Sequence, residues 1–165
     1  MGDREYKKSR SLEYRAEFAK EKNADMFISL HNNSADKKIN GIEVHYYDKT
    51  KSNTISLSEK ILDANTVFTS NRGKKENNLK VLRTWAKDNS KPGCLVELGF
   101  ITNEEDLKLL KEKQKDIAND LYEGIKKYYG KKKVFILFIM INTFKVFASS
   151  PIYVNYKTNI IIHIL

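Results

Sequence analysis

At 165 residues the chain has the length of one domain, and its 41% hydrophobic and 31% charged residues are typical of a globular protein. Its one cysteine, Cys94, excludes an internal disulfide and a cysteine-based metal site, and its apolar surroundings predict a small buried side chain. The formal net charge is +9, and five of these positive charges are lysines in residues 131–165, so residues 1–130 carry +4. Because the sequence has no basic stripe interleaved with aromatic residues, we expect no nucleic-acid partner.

The first part of the chain predicts a helix followed by two strands. Ser11 is a good N-cap, and a helical spacing of apolar residues predicts a helix over Ser11 to Lys22. The continuous apolar run from Asp25 to Leu30 predicts a buried strand. Residues 31–38 have the composition of a loop, and Gly41 to Tyr47 is rich in β-formers, which predicts a second strand.

The middle of the chain predicts a long helix, an ambiguous segment and a third strand. Apolar residues at helical spacing predict an amphipathic helix from Ser52 to about Ser70. Asn71-Arg72-Gly73 would end this helix with a C-cap glycine. Lys80 to Trp85 predicts a short strand or irregular chain, and Pro92 to Leu98 predicts the third strand.

Two helices are predicted after the third strand. Asn103 caps the first, with Asp106 three residues later as a near capping box. The second ends at Gly130. Because strands alternate with helices, we expect an α/β fold with a mostly parallel or mixed sheet flanked by helices. Three strands are few for such a fold, so we expect the first strand or strands of the sheet to lie upstream of Met1.

Residues 131–165 differ in character from residues 1–130. They contain an eight-residue apolar run and a second apolar run at the end of the chain, and neither approaches the roughly 20 residues of a membrane span. Their Ile, Asn, Lys and Phe bias predicts a read-through or frameshifted tail. Two alternatives stay open: a segment that contacts a membrane or a partner, through residues 134–149, and a packed pair of strands.

Two polar side chains stand at the ends of predicted strands. His31 follows the first strand, and Glu97 lies near the end of the third, where ligands and catalytic groups gather in open α/β sheets. A carboxylate in an apolar run is costly to bury unless it is paired or catalytic, although Glu97 could equally lie at an exposed strand tip. A lone histidine is more often structural, and we expect this of His45.

Four blocks of the sequence, in order, carry a resemblance to a known family. They are residues 15–34, ending in Met-Phe-Ile-Ser-Leu-His-Asn-Asn-Ser, then Gly-Ile-Glu-Val (41–44), Leu-Lys-Val-Leu-Arg (79–83) and Leu-Val-Glu-Leu-Gly-Phe-Ile-Thr-Asn (95–103). From residue 3 to about 129 the chain closely resembles the zinc-dependent N-acetylmuramoyl-L-alanine amidases of the amidase-3 type, which are bacterial and phage cell-wall hydrolases with a phosphorylase/hydrolase-like fold.

The resemblance implies a reaction and roles for two residues. The family cleaves the amide between the lactyl group of N-acetylmuramic acid and the L-alanine of the peptidoglycan stem peptide. The resemblance also implies that His31 is one of the zinc ligands and that Glu97 is the catalytic carboxylate. Zinc would activate a water and polarise the carbonyl, and Glu97 would pass the water's proton to the leaving amine.

Two blocks of the family have no counterpart in this sequence: a strand ending in a His-Gly-Gly-type loop and a glutamate ligand after it. We therefore expect residues 1–130 to be a partial catalytic domain, and with His31 alone of three ligands we do not expect tight zinc binding by this chain by itself. Two hypotheses follow. The protein is a peptidoglycan amidase of the cell wall or extracellular space, although its polar N-terminus lacks the pattern of a signal peptide, or it is an inactive wall-binding or regulatory module.

Overall fold

The computed structural model describes residues 11–130, 152–154 and 160–164. Within them, one mixed sheet of six strands has the order β3-β2-β4-β1-β6-β5. The pairs β1–β4, β2–β3 and β1–β6 are parallel, whereas β2–β4 and β5–β6 are antiparallel. The elements are α1 Leu12–Glu21, β1 Met26–Asn33, β2 Ile42–Tyr46, α2 Ser52–Leu62, β3 Asn71–Glu76, α3 Lys80–Ala86, β4 Gly93–Phe100, α4 Glu104–Glu112, α5 Gln114–Tyr129, β5 Ile152–Val154 and β6 Ile160–Ile164.

This architecture confirms the predicted α/β class with a mixed sheet flanked by helices. The first helix also begins as predicted, because the Ser11 hydroxyl accepts a hydrogen bond of 3.0 Å from the backbone N–H of Tyr14. The Asn103 side chain caps α4 in the same way, by accepting from the N–H of Asp106 at 3.1 Å. Both N-caps predicted from the sequence, Ser11 and Asn103, are therefore confirmed.

The helix predicted from Ser52 to about Ser70 was wrong in its second half. It ends at Leu62, because Asn65 forms a local turn in which its side chain bonds both the N–H and the carbonyl of Phe68. Asp120 of α5 also accepts the N–H of Thr66 at 2.7 Å. Phe68 is buried in the core, but it reaches the core from a loop, which explains why the apolar spacing was misleading.

Two further predictions were wrong in the same region. Asn71-Arg72-Gly73 does not end a helix but begins β3, an almost wholly exposed strand at the edge of the sheet. Lys80 to Trp85 is neither a strand nor irregular chain but lies in α3. The buried residues Val81, Leu82 and Trp85 fall on one helical face, and the Trp85 ring stacks on Phe27 with 5.4 Å between ring centroids.

The two faces of the sheet have different cores. On one, the core face, Met26, Ile28, Leu30, Val44 and Val96 pack with apolar residues of α2 and α5. On the opposite face, here the site face, Phe27 and Leu95 pack beneath α1 and α3. Further along the same strands, this apolar packing gives way to polar side chains. The alternation of side chains along each strand thus leaves one polar surface beyond the cover of α1 and α3.

Near the C-terminus the structure describes two strands, and the origin of residues 131–165 stays a prediction. Strand β6 pairs with β1 from Met26 to Leu30, and β5 pairs with β6. No helix among the described residues has both the length and the apolar character that crossing a membrane requires. Residues 134–149, for which a membrane or partner contact is an alternative, lie outside the described residues.

A chain shortened to end at Gly130 should melt at a lower temperature than the full chain. Without β6, the backbone N–H and C=O groups of β1 on that side would lose their partners over Met26 to Leu30. We expect a fall of about 2–8 °C, measured by circular dichroism. Amide hydrogen exchange should become faster in β1 but not in β2, which provides an internal control. Identical melting curves would show that β6 does not stabilise the sheet.

Candidate active site

The site face carries three acid–base side chains in one row across β1, β4 and β2. His31 is the register partner of Glu97 in the parallel pair β1–β4, and Glu43 is the register partner of Glu97 in the antiparallel pair β2–β4. Side chains that are in register on neighbouring strands project from the same face of a sheet. Pairing thus brings together His31 and Glu97, the two residues predicted from the sequence, and adds Glu43, which was not predicted.

Glu97 lies at the centre of the row and is partly buried. Its Oε2 atom is buried and has no hydrogen-bond partner among the described residues. Burial, and secondarily the negative charge of Glu43, raises the pKa of Glu97 to about 7. A carboxyl group with a pKa near neutrality and an unpartnered oxygen can both accept and release a proton.

His31 lies at the β1 end of the row. Its Nε2 atom is 2.9 Å from the Ser29 hydroxyl, on the same strand two residues earlier. Burial, followed by the positive charge of Arg15 and the electrostatic effect of the neighbouring His45, lowers the pKa of His31 to about 4. The imidazole is therefore neutral at neutral pH, which is the form that binds metals.

Glu43 is buried and accepts hydrogen bonds from four side chains. Its Oε1 atom accepts from Asn33 Nδ2 and lies 3.0 Å from His45 Nε2, while its Oε2 atom accepts from Arg72 Nε at 3.0 Å and from Lys75 Nζ at 2.6 Å. Burial alone would raise the pKa of Glu43, but the hydrogen bonds from Lys75 and Arg72 outweigh it and hold the pKa at about 2. Glu43 therefore remains charged beside Glu97, and His45 has the structural contacts expected of it.

A bulge in β4 shapes the end of the site. His31 pairs with Glu97, but Asn33 pairs with Phe100, so β4 contains one residue more than β1 over this stretch. Gly99 has a φ of +71°, in the left-handed region that favours glycine. The bulge brings Phe100 onto the site face, where the Arg72 guanidinium lies over its ring at 5.2 Å. Glu97 and Phe100 thus share a face although they are three residues apart.

The perturbed pKa of Glu97 predicts a pH dependence of stability in metal-free protein. Between about pH 4.5 and pH 7 the unfolded chain ionises Glu97 while the folded chain keeps it protonated, so this residue lowers stability as the pH rises through that range. A Glu97→Gln variant lacks this loss. Between pH 4.5 and pH 7.5, the free energy of unfolding of the variant should therefore rise by roughly 1–2 kcal/mol relative to that of wild type. This range allows for the partial solvent exposure of Glu97.

Urea denaturation at several pH values measures this difference. His31 has the opposite effect, because its lowered pKa removes stability as the pH falls from 6.5 towards 4, but it does so in both proteins and cancels in the comparison. Parallel curves for wild type and variant would contradict the raised pKa.

Comparison with known proteins identifies the family. Residues 2–127 match the model of the amidase-3 family, described as N-acetylmuramoyl-L-alanine amidase. The chain belongs to the N-acetylmuramoyl-L-alanine amidase family. An uncharacterised cell wall amidase from Bacillus anthracis is 37% identical over 130 residues, which cover 72% of this chain and 24% of that protein.

Solved structures of amidases have the same fold. The CwlD amidase from Clostridioides difficile, in complex with the GerS lipoprotein, is 34% identical with a TM-score of 0.63, and the match covers 72% of this chain and 61% of that one. An N-acetylmuramoyl-L-alanine amidase from Clostridium difficile 630 is 30% identical with a TM-score of 0.65, and the match covers 74% and 67% of the two chains. The chain therefore spans between about a quarter and two thirds of the length of these three amidases. The family and fold predicted from the sequence are confirmed.

Amidases of this family are generally zinc-dependent, and the described side chains do not by themselves fit that metal. A catalytic zinc takes three protein ligands and leaves one position for water or substrate. Among the described side chains, no three of the His, Cys, Asp and Glu type converge closely enough to hold a metal ion. His31 is the ligand predicted from the sequence, and Glu43 is already occupied by four hydrogen-bond donors.

Proposed function

We propose that this amidase-family chain takes part in hydrolysing the amide between N-acetylmuramic acid and the L-alanine of the peptidoglycan stem peptide, at the cell wall or outside the cell. The observation that carries the proposal is Glu97, a partly buried carboxyl whose Oε2 atom has no partner within the described residues. It lies in the Leu-Val-Glu-Leu-Gly-Phe block of a chain that matches the family model over residues 2–127.

Glu97 is the proposed proton carrier of the reaction. Its carboxylate takes the proton of the attacking water as the water oxygen bonds to the amide carbon. The same carboxyl then gives that proton to the alanine nitrogen as the C–N bond breaks, which releases a free amine and a lactyl carboxylic acid. At neutral pH this acid loses its remaining proton to the solvent and becomes a carboxylate. A pKa near 7 suits both halves of this cycle, because neither protonation state is strongly favoured at neutral pH.

His31 is the proposed contribution of this chain to the zinc site. The imidazole is held in place by the Ser29 hydroxyl and is neutral at neutral pH. A zinc site of three protein ligands would need two more than His31, and the described side chains do not supply them as a cluster. The proton transfer through Glu97 is the step of the proposed reaction that the described residues support.

The incomplete ligand set favours a second candidate, an inactive module that binds muropeptides or the cell wall. One experiment separates the two. The purified chain is incubated with peptidoglycan with and without added zinc, and three quantities are measured: newly exposed alanine amino groups, zinc per chain and the fraction of chain retained on the wall. Zinc at one per chain with amine release supports the enzyme. Retention on the wall without zinc binding or amine release supports the module. A chain that neither releases amine nor is retained on the wall would overturn both candidates.

A further inference from the structure

Glu43 organises a cluster of positive charge beside the proposed proton carrier. Its single negative charge is shared by Arg72 and Lys75, both of which lie on the edge strand β3. The three side chains therefore have a surplus of one positive charge. Glu43 is almost completely buried, at 5% exposure, whereas the side chains of Arg72 and Lys75 are 33% and 43% exposed. The buried carboxylate thus holds two cations at the surface.

Arg72 is oriented in a way that leaves its outer nitrogens available. Its Nε atom donates to Glu43, and its guanidinium group lies over the Phe100 ring. Neither Nη atom has a hydrogen-bond partner among the described residues. The two contacts fix the plane of the guanidinium group, so a ligand that bonds to it would lose little side-chain freedom. A planar pair of N–H groups matches the two oxygens of a carboxylate.

The strand order of the sheet gives the approximate distance between Glu97 and the cluster of Arg72 and Lys75. Glu43 lies directly across from Glu97 in the β2–β4 pair, and β3 is the next strand beyond β2. Two strand spacings amount to roughly 10 Å, and the side chains of Arg72 and Lys75 extend back towards Glu43 across part of that distance. Two residues of extended peptide span about 7 Å. A group one or two residues beyond the scissile amide could therefore reach Arg72.

We propose that Arg72 and Lys75, held by Glu43, form a subsite for a free carboxylate on the peptide side of the scissile amide. This inference rests on the proposed function for the identity of the peptide. The carboxylate closest to the cut is the α-carboxylate of the second residue of the stem peptide. It would bond to the Nη atoms of Arg72, with Lys75 adding charge, and would orient the leaving peptide while the amide lies at Glu97.

Binding to two muropeptides tests the subsite independently of catalysis. The probes differ only in the α-carboxyl of the second peptide residue, which is free in one and amidated in the other. Wild type should bind the free acid about tenfold more tightly, measured by isothermal titration calorimetry at low salt. Arg72→Gln should remove that preference by weakening the free acid while leaving the amidated probe unchanged. Arg72→Lys, which keeps the charge but not the planar group, should have an intermediate effect.

Lys74→Gln is the matched control, because Lys74 lies on the same strand but pairs with Glu59. It should keep the wild-type preference. Equal binding of the two probes by wild type, no binding of either, or equal weakening of both probes by Arg72→Gln would overturn the subsite. A chain that discriminates between the probes but releases no amine would overturn the proposed hydrolysis and leave the subsite standing. A chain that releases amine but binds the two probes equally would support the proposed hydrolysis and overturn the subsite.

Discussion

Replacing Glu97 by glutamine should reduce amine release from peptidoglycan by about 100- to 10,000-fold. A glutamine side chain cannot accept the proton of the attacking water or return it to the leaving nitrogen, and general acid–base catalysis typically contributes a factor of this size. The shape of the side chain is kept. The carboxyl oxygen of Glu97 that is lost had no protein partner among the described residues, so the fold should be retained.

The rate of amine release, measured under the conditions in which wild type is active, checks this prediction. Glu104→Gln provides a matched control, since Glu104 is an exposed glutamate at the start of α4 and should leave the rate unchanged. Both variants should give the circular dichroism spectrum of wild type. A Glu97→Gln variant that retains activity within a few-fold would assign the proton transfer to another group.

Replacing Asp106 by alanine should lower the free energy of unfolding by about 2–4 kcal/mol. The Asp106 side chain is fully buried, and its Oδ2 atom accepts the backbone N–H groups of Gly41 and Phe100, each at 2.8 Å. Alanine would leave two buried donors without partners, and each such group costs roughly 1–3 kcal/mol. Gly41 immediately precedes β2 and Phe100 ends β4, so the loss should also loosen the strands that carry Glu43 and Glu97.

Urea denaturation provides the measurement for Asp106→Ala. Glu105→Ala is the matched control, because Glu105 is the preceding residue of the same helix but is exposed, and it should change stability by less than about 0.5 kcal/mol. A loss below 1 kcal/mol for Asp106→Ala would show that water or a shifted backbone replaces the two hydrogen bonds. The near capping box expected from Asn103 and Asp106 was therefore half right: Asn103 caps the helix, but the Asp106 carboxylate bonds outside it.

The parts of the fold that could be predicted are those in which local pattern and burial agree. Strands β1 and β4 contain continuous apolar runs because both of their faces are covered, and these runs were found from the sequence. The predicted loop after Leu30 was wrong at its start, since β1 continues to Asn33. Strand β3 could not be found in this way, since its residues Asn71–Glu76 are polar and almost all exposed. It is a strand because it pairs with β2, and pairing with a distant segment leaves no periodic trace in the sequence.

The same reasoning separates the predicted from the unpredicted residues of the candidate site. His31 and Glu97 stand out because each interrupts or ends an apolar run. Glu43 lies in Gly-Ile-Glu-Val-His, where an alternating pattern would place it on either a buried or a solvent-exposed face. Its burial depends on Arg72 and Lys75, 29 and 32 residues later, on the strand that the sequence did not reveal. The missed strand and the missed carboxylate thus have one cause.

The bulge at Gly99 also makes the segment from Glu97 to Phe100 a single structural unit of the candidate site. In a regular strand, residues an odd number apart project to opposite sides, so a carboxyl and an aromatic ring three positions apart could not serve one pocket. Gly99, whose backbone is in the left-handed region, adds one residue to β4 and so places Glu97 and Phe100 on the same side. Deleting Gly99 would turn Phe100 towards the core of α2 and α5 and remove the platform on which Arg72 lies. Anyone transplanting this site into another sheet must therefore move these four residues together with the extra length of β4.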